Sequence, residues 1–203
     1  MFLSFDGIDG TGKSTQCRLL VEWLRAEGYE VVHCVEPGTT PIGEKIRGLL
    51  LSKSEEMTLC TEAMLFMASR AELVEKVIQP AIDEGRIVVS DRYLLSTIVY
   101  QGFGGGLNLD MLREIGKFVT RGIMPDVSFV LDLPTEKARE RFSTNPDRME
   151  SRPLSYYDRV RRGFLSESKS DPKRYRVIDA SPSIEAIQGT IRGIVAKLLE
   201  AQG

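Results

Sequence analysis

The chain has 203 residues, 42% of them hydrophobic, with a formal net charge of −2 and three cysteines. That length suits one domain spanning residues 1–203 with a core of its own. The near-neutral balance weighs against nucleic acid as a partner, since backbone binding needs a surplus of Lys and Arg. No apolar run reaches membrane-spanning length and no leader-like segment precedes the first strand, so no membrane partner is expected. Cys17, Cys34 and Cys60 are odd in number and lack metal-ligand spacing. They read as reduced thiols of a cytoplasmic protein, acting as small buried hydrophobes.

Phe2 to Phe5 reads as a short buried strand. It runs into Gly7-Ile8-Asp9-Gly10-Thr11-Gly12-Lys13-Ser14, then Thr15, which fits G-x-x-x-x-G-K-[ST] without mismatch. The glycines let backbone N–H groups turn inward around phosphate oxygens. The helix that follows adds its positive end, Lys13 reaches the β- and γ-phosphates, and Ser14 offers a hydroxyl to Mg²⁺. The pattern implies a bound nucleoside triphosphate. It does not say where the phosphate goes.

Leu19, Leu20, Trp23 and Leu24 form one helical stripe, which Gly28 ends. Further strands are predicted at Tyr29 to Val35, Arg86 to Ser90, Val127 to Leu131 and Arg174 to Ile178. Helices are predicted at Thr61 to Asp83, kinked by Pro80, and at Ser96 to Gln101, Asp110 to Arg121, Glu136 to Arg141, Tyr156 to Glu167 and Ile184 to Leu199. Strands alternating with helices, and no hairpin turn between adjacent strands, predict a P-loop NTPase-like α/β fold. Its parallel five-stranded sheet is flanked by helices, and ligands sit beyond the carboxyl ends of the strands.

Three further stretches carry chemistry. In Ser90 to Gly102, Asp91 and Arg92 follow a strand, where Arg92 suits a phosphate and Asp91 suits Mg²⁺. A surface ion pair is the plainer reading. In Glu62 to Leu73, Phe66 and Arg70 are four apart and share a face, which suits a planar base or a core Phe beside a surface Arg. In Ala138 to Arg152, Arg139, Arg141, Arg148 and Arg152 crowd a stretch broken by Asn145-Pro146. They form either a solvated face or a short Arg-rich lid over developing charge. No Asn-Lys-x-Asp string reads guanine, which argues against a GTPase.

Taken together these stretches resemble the thymidylate kinase family over nearly the whole chain. The matches continue with E-P-G at Glu36 to Gly38, G-E-x-I-R at Gly43 to Arg47 and L-D-x-P ending at Pro134. D-R-x-E at Asp147 to Glu150, R-V-R-x-G-[YF]-L at Arg159 to Leu165 and I-D-A at Ile178 to Ala180 complete the set. The resemblance implies transfer of the γ-phosphoryl group of ATP to dTMP, with Mg²⁺, in a homodimer. It implies that Asp9 bonds the sugar 3′-hydroxyl and helps place the metal with Ser14 and Asp91. By the same resemblance Arg47 and Arg92 are expected to clamp the dTMP phosphate, with Glu36 and Pro37 in the same pocket. The resemblance also implies that Phe66 stacks on thymine, Arg70 bonds its carbonyl, Thr97 and Gln101 reach the base edge, and Tyr100 crowds the sugar 2′ position. Members of the family it resembles draw the catalytic Arg from the P-loop or from the lid. No basic residue stands among Ile8 to Thr11, so the resemblance implies the lid (about residues 138–152), with Arg148 first among the candidates because its D-R-x-E setting matches.

Val35 and Thr39 depart from the family's R-E-P-G-G-T, and Ser166-Glu167-Ser168 is more polar than its Leu-Ala. His33 sits in a predicted strand and is assigned no chemistry. A kinase for another monophosphate, a deoxynucleoside kinase or a nucleotide-binding regulator without turnover remain open. The first differs in its acceptor, the second in needing a base for a hydroxyl, the third in forming no product.

Overall fold

In a computed structural model, residues 1–54, 56–142 and 147–201 are described. Five parallel strands form one sheet: β1 (Phe2–Asp6), β2 (Val31–Val35), β3 (Ile87–Asp91), β4 (Val127–Asp132) and β5 (Tyr175–Asp179), in spatial order β2-β3-β1-β4-β5. All five expected strands are present, with ends moved by no more than a residue or two. β1 is central, with Leu3 opposite both Val89 and Val127.

Alternation along β1 divides the core. Phe2 joins Val88, Leu73 and Tyr93 on one face, while Leu3 and Phe5 join Leu20, Phe129 and Ile191 on the other. Full burial of each such side chain contributes about 1.5–3 kcal/mol. The remaining β1 positions are polar. Ser4 donates to Ser128 Oγ at 2.7 Å, and Ser96 donates to Asp6 Oδ1 at 2.7 Å, so these buried groups are satisfied.

The helices are α1 (Lys13–Ala26), α2 (Pro41–Leu51), α3 (Leu59–Leu73), α4 (Gln79–Asp83), α5 (Leu94–Thr97), α6 (Leu109–Thr120), α7 (Thr135–Arg139), α8 (Leu154–Ser170) and α9 (Ile184–Glu200). α2 has no counterpart among the predicted helices. Its start signals were legible: Thr40 caps it by accepting from Gly43 N at 3.0 Å, and Pro41 takes the first turn.

The helical stretch predicted to kink at Pro80 changes its hydrogen bonding before that residue. It widens one turn earlier into a π-helical turn, Val74–Ile78, where Gln79 N bonds back to Val74 O. Proline has no N–H to give the carbonyl four residues back, and the wider turn passes over that gap. A second π-helical turn, Ile98–Gly104, follows α5 where a regular helix to Gln101 was predicted. Its glycines sit under close neighbours. A Cβ on Gly104 would come within 2.8 Å of the Tyr156 ring, and one on Gly163 would come within 2.7 Å of Phe103. α8 therefore lies tight against this turn.

Cys17 and Cys34 are buried as expected, but Cys60 is exposed at the start of α3. Only the first two act as core hydrophobes. His33 lies on the edge strand, its Nε2 3.3 Å from Cys17 Sγ. No helix among the described residues is long and apolar enough to cross a membrane.

Candidate active site

At the carboxyl ends of β1, β2 and β3 lies a cavity of about 810 Å³. The P-loop forms one wall. Gly7, Gly10 and Gly12 have φ of 131°, 78° and 91°, values closed to most side chains. A Cβ on Gly10 would also collide with Ala138 O and meet the Phe142 ring at 3.2 Å, so the loop packs under α7 and the residues that follow it. Lys13 Nζ donates to Ile8 O at 2.7 Å, and Thr11 Oγ1 donates to the same carbonyl at 2.8 Å. Burial, then the Arg92 charge, pushes Lys13 down to about 8.

Every residue singled out from sequence for nucleotide or metal lines this cavity, except Gly7, Ile8, Arg70 and Arg148. Gly7 and Ile8 turn their carbonyls to Arg92 and Lys13 and shape the loop from behind.

Arg92 is the hub. Its φ is 74°, a left-handed value that costs an ordinary residue about 1 kcal/mol or more. That backbone turn aims the guanidinium at the P-loop. Arg92 donates to Gly7 O at 3.0 Å, Ser96 Oγ at 3.1 Å and Tyr100 Oη at 3.3 Å, and pairs with Asp9. Tyr100 donates to Asp9 Oδ2 at 3.0 Å. Burial works against ionising Asp9, but Arg92, Lys13 and the Tyr100 hydroxyl outweigh it, and its carboxyl sits below the ordinary value.

A second group lies on the side of β2 and α3. Arg70 is 1% exposed, so the surface reading of this Arg fails. It donates through Nε to Glu36 Oε2 at 2.8 Å and through Nη1 to Thr97 Oγ1 at 3.0 Å. Burial pushes Glu36 up to about 7 against the pull of that guanidinium, and its Oε1 is buried without a partner. Phe66, one turn before Arg70 on α3, lines the cavity. Arg47 lines it too, held by a bond to Pro37 O at 2.9 Å. Of the two departures from the family pattern, Thr39 takes φ 66° and its hydroxyl bonds both Val35 N (2.8 Å) and Val35 O (3.1 Å). The side chain thus ties the loop back onto the strand end.

The Arg-rich stretch divides in two, and its Asn145-Pro146 break lies outside the described residues. Arg141 lines the cavity beside the P-loop. Arg148 does not, contrary to the expectation that put it first. Its Nε donates to Leu50 O at 2.8 Å and its Nη1 to Glu62 Oε2 at 2.6 Å. The D-R-x-E motif explains this geometry. Asp147 Oδ1 accepts from Met149 N and Glu150 N, while Glu150 Oε2 accepts from Asp147 N. That reciprocal box closes a tight turn that aims Arg148 at α2 and α3.

Sequence reasoning missed several lining residues. Met149 and, at the start of α9, Pro182, Ser183, Ile184 and Ile187 line the cavity, and Gln16 holds α9 through a 3.0 Å bond to Ile184 O. Tyr157 reaches Met149 O at 3.0 Å and lies 3.5 Å from Asp9 Oδ2. The I-D-A match before α9 was the available signal for the first group; Tyr157 had none.

A P-loop, a cation cluster beside it and a second pocket opening from the same cavity define a phosphotransferase of the P-loop kinase class. The thymidylate kinase family model matches residues 5–191. A thymidylate kinase of Symbiobacterium thermophilum is 43% identical over 201 residues, covering 98% of this chain and 94% of its own length. One of Chlorobaculum parvum is 47% identical over 191 residues, covering 89% and 88%. The crystal structure of thymidylate kinase from Ehrlichia chaffeensis superimposes with a TM-score of 0.79 at 32% identity, covering 96% of this chain and 98% of that one. The chain belongs to the thymidylate kinase family.

Proposed function

We propose that this chain moves the γ-phosphoryl group of ATP onto the phosphate of dTMP, giving dTDP and ADP. The observation that carries the reading is the shared cavity: the P-loop and the Phe66–Thr97–Gln101 pocket open into one space, with Arg92 and Asp9 between them.

The P-loop, residues 7–15, holds the triphosphate, with Lys13 leaving Ile8 O for its β- and γ-oxygens. Phe66 stacks on the base, Arg70 with Thr97 and Gln101 reads its edge, and Tyr100 crowds the sugar 2′ position. Asp9 takes the 3′-hydroxyl. Arg92 and Arg47 hold the dTMP phosphate, with Glu36 and Pro37 behind them. A phosphate monoester has its second pKa near 6, so dTMP attacks as a dianion and needs no base. What it needs is alignment against repulsion between two anions, which Lys13 and Arg92 relieve. Arg141, beside the P-loop, is our lid candidate for the developing charge, in place of Arg148.

Ser14 and Asp91 present a hydroxyl and a carboxylate toward the cavity, hard oxygen donors that fit Mg²⁺ bound mainly by phosphates and water. Bound there, Mg²⁺ would screen the charge on the β- and γ-phosphates. We further read residues 1–203 as one cytoplasmic domain with a lid at 138–152, paired as a homodimer. Phe118, 82% exposed, and Met111 on α6 are apolar surface that a second copy would cover.

ATP-dependent product formation from dTMP, UMP and thymidine tests the reading. Strong preference for dTMP supports it. Equal rates with thymidine overturn it in favour of a nucleoside kinase.

A further inference from the structure

The stripe that carries Phe66 and Arg70 starts one turn earlier, at Glu62. Glu62 is 1% exposed, and three side chains converge on its carboxylate. Gln101 Nε2 donates to Oε1 at 2.9 Å. Arg148 Nη1 donates to Oε2 at 2.6 Å, and Arg152 Nη2 donates to both oxygens at 2.8 and 2.6 Å. A carboxylate facing two guanidiniums only accepts hydrogen bonds.

A glutamine amide has a donating end and an accepting end of nearly equal shape. Only the nitrogen of Gln101 can serve Glu62. Its carbonyl oxygen is the end left for the cavity that Gln101 lines. We propose that Glu62 is a positioning residue that fixes the Gln101 amide, so that the acceptor base always meets a carbonyl. A carbonyl there accepts from a pyrimidine with N–H at ring position 3, as in thymine or uracil. It repels cytosine, whose nitrogen at that position is itself an acceptor. The inference rests on the dTMP reading above. Because Arg148 and Arg152 share the carboxylate, base reading and the placement of this segment depend on one side chain.

The test compares kcat/KM for dTMP and 5-methyl-dCMP, which share the 5-methyl group and differ at the pairing edge. Glu62→Gln keeps the volume but can donate as well as accept, so the Gln101 amide is free to turn. The preference for dTMP should fall about tenfold, mostly through KM. In a Gln101→Leu background the same substitution should change the preference less than about twofold. A folded Glu62→Gln variant whose preference stays within about twofold of wild type overturns the inference, and so does equal weakening of both acceptors. Either result leaves Glu62 only an anchor for arginines. Should that variant not fold, the wild-type chain decides. The Gln101 side-chain amide protons, assigned by their loss in Gln101→Leu, should exchange with solvent at least about tenfold slower than those of a surface glutamine, with and without dTMP. Exchange as fast as at the surface overturns the inference. A wild-type chain that does not phosphorylate dTMP overturns the activity reading itself, and this inference with it.

Discussion

The two halves of the cavity are built by opposite means. The P-loop half is nine consecutive residues whose backbone does most of the work, with glycines at φ values few other residues accept. The acceptor half is made of side chains from the ends of β2 and β3, from α2, from α3 and from the π-helical turn after α5. The first is stiff because its backbone has no alternative. The second is held by mutual pairing, as in Arg70 with Glu36 and Thr97, so each member depends on the others. Loss of one group in the first half should therefore remove chemistry and spare the fold. Loss of one of the paired groups in the second should cost both.

Lys13→Met is the strongest way to break that contrast. Turnover should fall about 1,000-fold with the melting temperature little changed, measured by a coupled ADP assay and a thermal melt. A melting temperature that drops with activity would mean that the loop is not self-supporting.

Arg70→Ala should behave in the opposite way. It strands Glu36 in a buried site, at a stability cost of about 3–5 kcal/mol by urea titration, and weakens dTMP binding as well. Phe66→Ala sharpens the point, because Phe66 is only partly buried. It should weaken dTMP by about 1–3 kcal/mol while sparing both the fold and ATP binding.

The arginines of the lid stretch divide along the same line. Arg141→Ala should lower kcat about 100-fold with little change in stability. Arg148→Ala should mainly lower the melting temperature and raise the KM for dTMP, since Arg148 braces Glu62. The reverse pattern would restore Arg148 as the group acting on transferred charge.

The smallest expected effect is protonic. Lys13 in the free protein sits near 8, lowered first by burial. Above that pH it is largely neutral, and a bound polyphosphate favours its charged form. ATP binding at about pH 9 should therefore take up a proton, seen by calorimetry in buffers of different ionisation enthalpy. No uptake would place the ammonium outside the reach of the phosphates.

The same contrast governs what was legible in the sequence. The P-loop and the five strands were readable because contiguous spacing encodes them. So was the Phe66–Arg70 face, from a simple four-residue step. The depth of Arg70 was not, because burial depends on what Glu36 and Thr97 do 34 and 27 residues away. Arg148 was misplaced for a related reason. Composition announced a basic segment, but the turn made by Asp147 and Glu150 decides where each guanidinium points. Glu62 opens the stretch that carries Phe66 and Arg70, but its role is not legible there, since it lies in partners 39, 86 and 90 positions further along.

The contact between α8 and the π-helical turn bears on redesign. With Gly104 under the Tyr156 ring and Gly163 against Phe103, the backbone behind Tyr100 and Gln101 has nowhere to retreat. Room for a bulkier acceptor cannot be won by relaxing that wall. An engineer, or natural drift, must trim side chains already in the cavity, so substrate range widens by discrete steps in residue size, and a library that randomises those glycines would yield mainly misfolded clones.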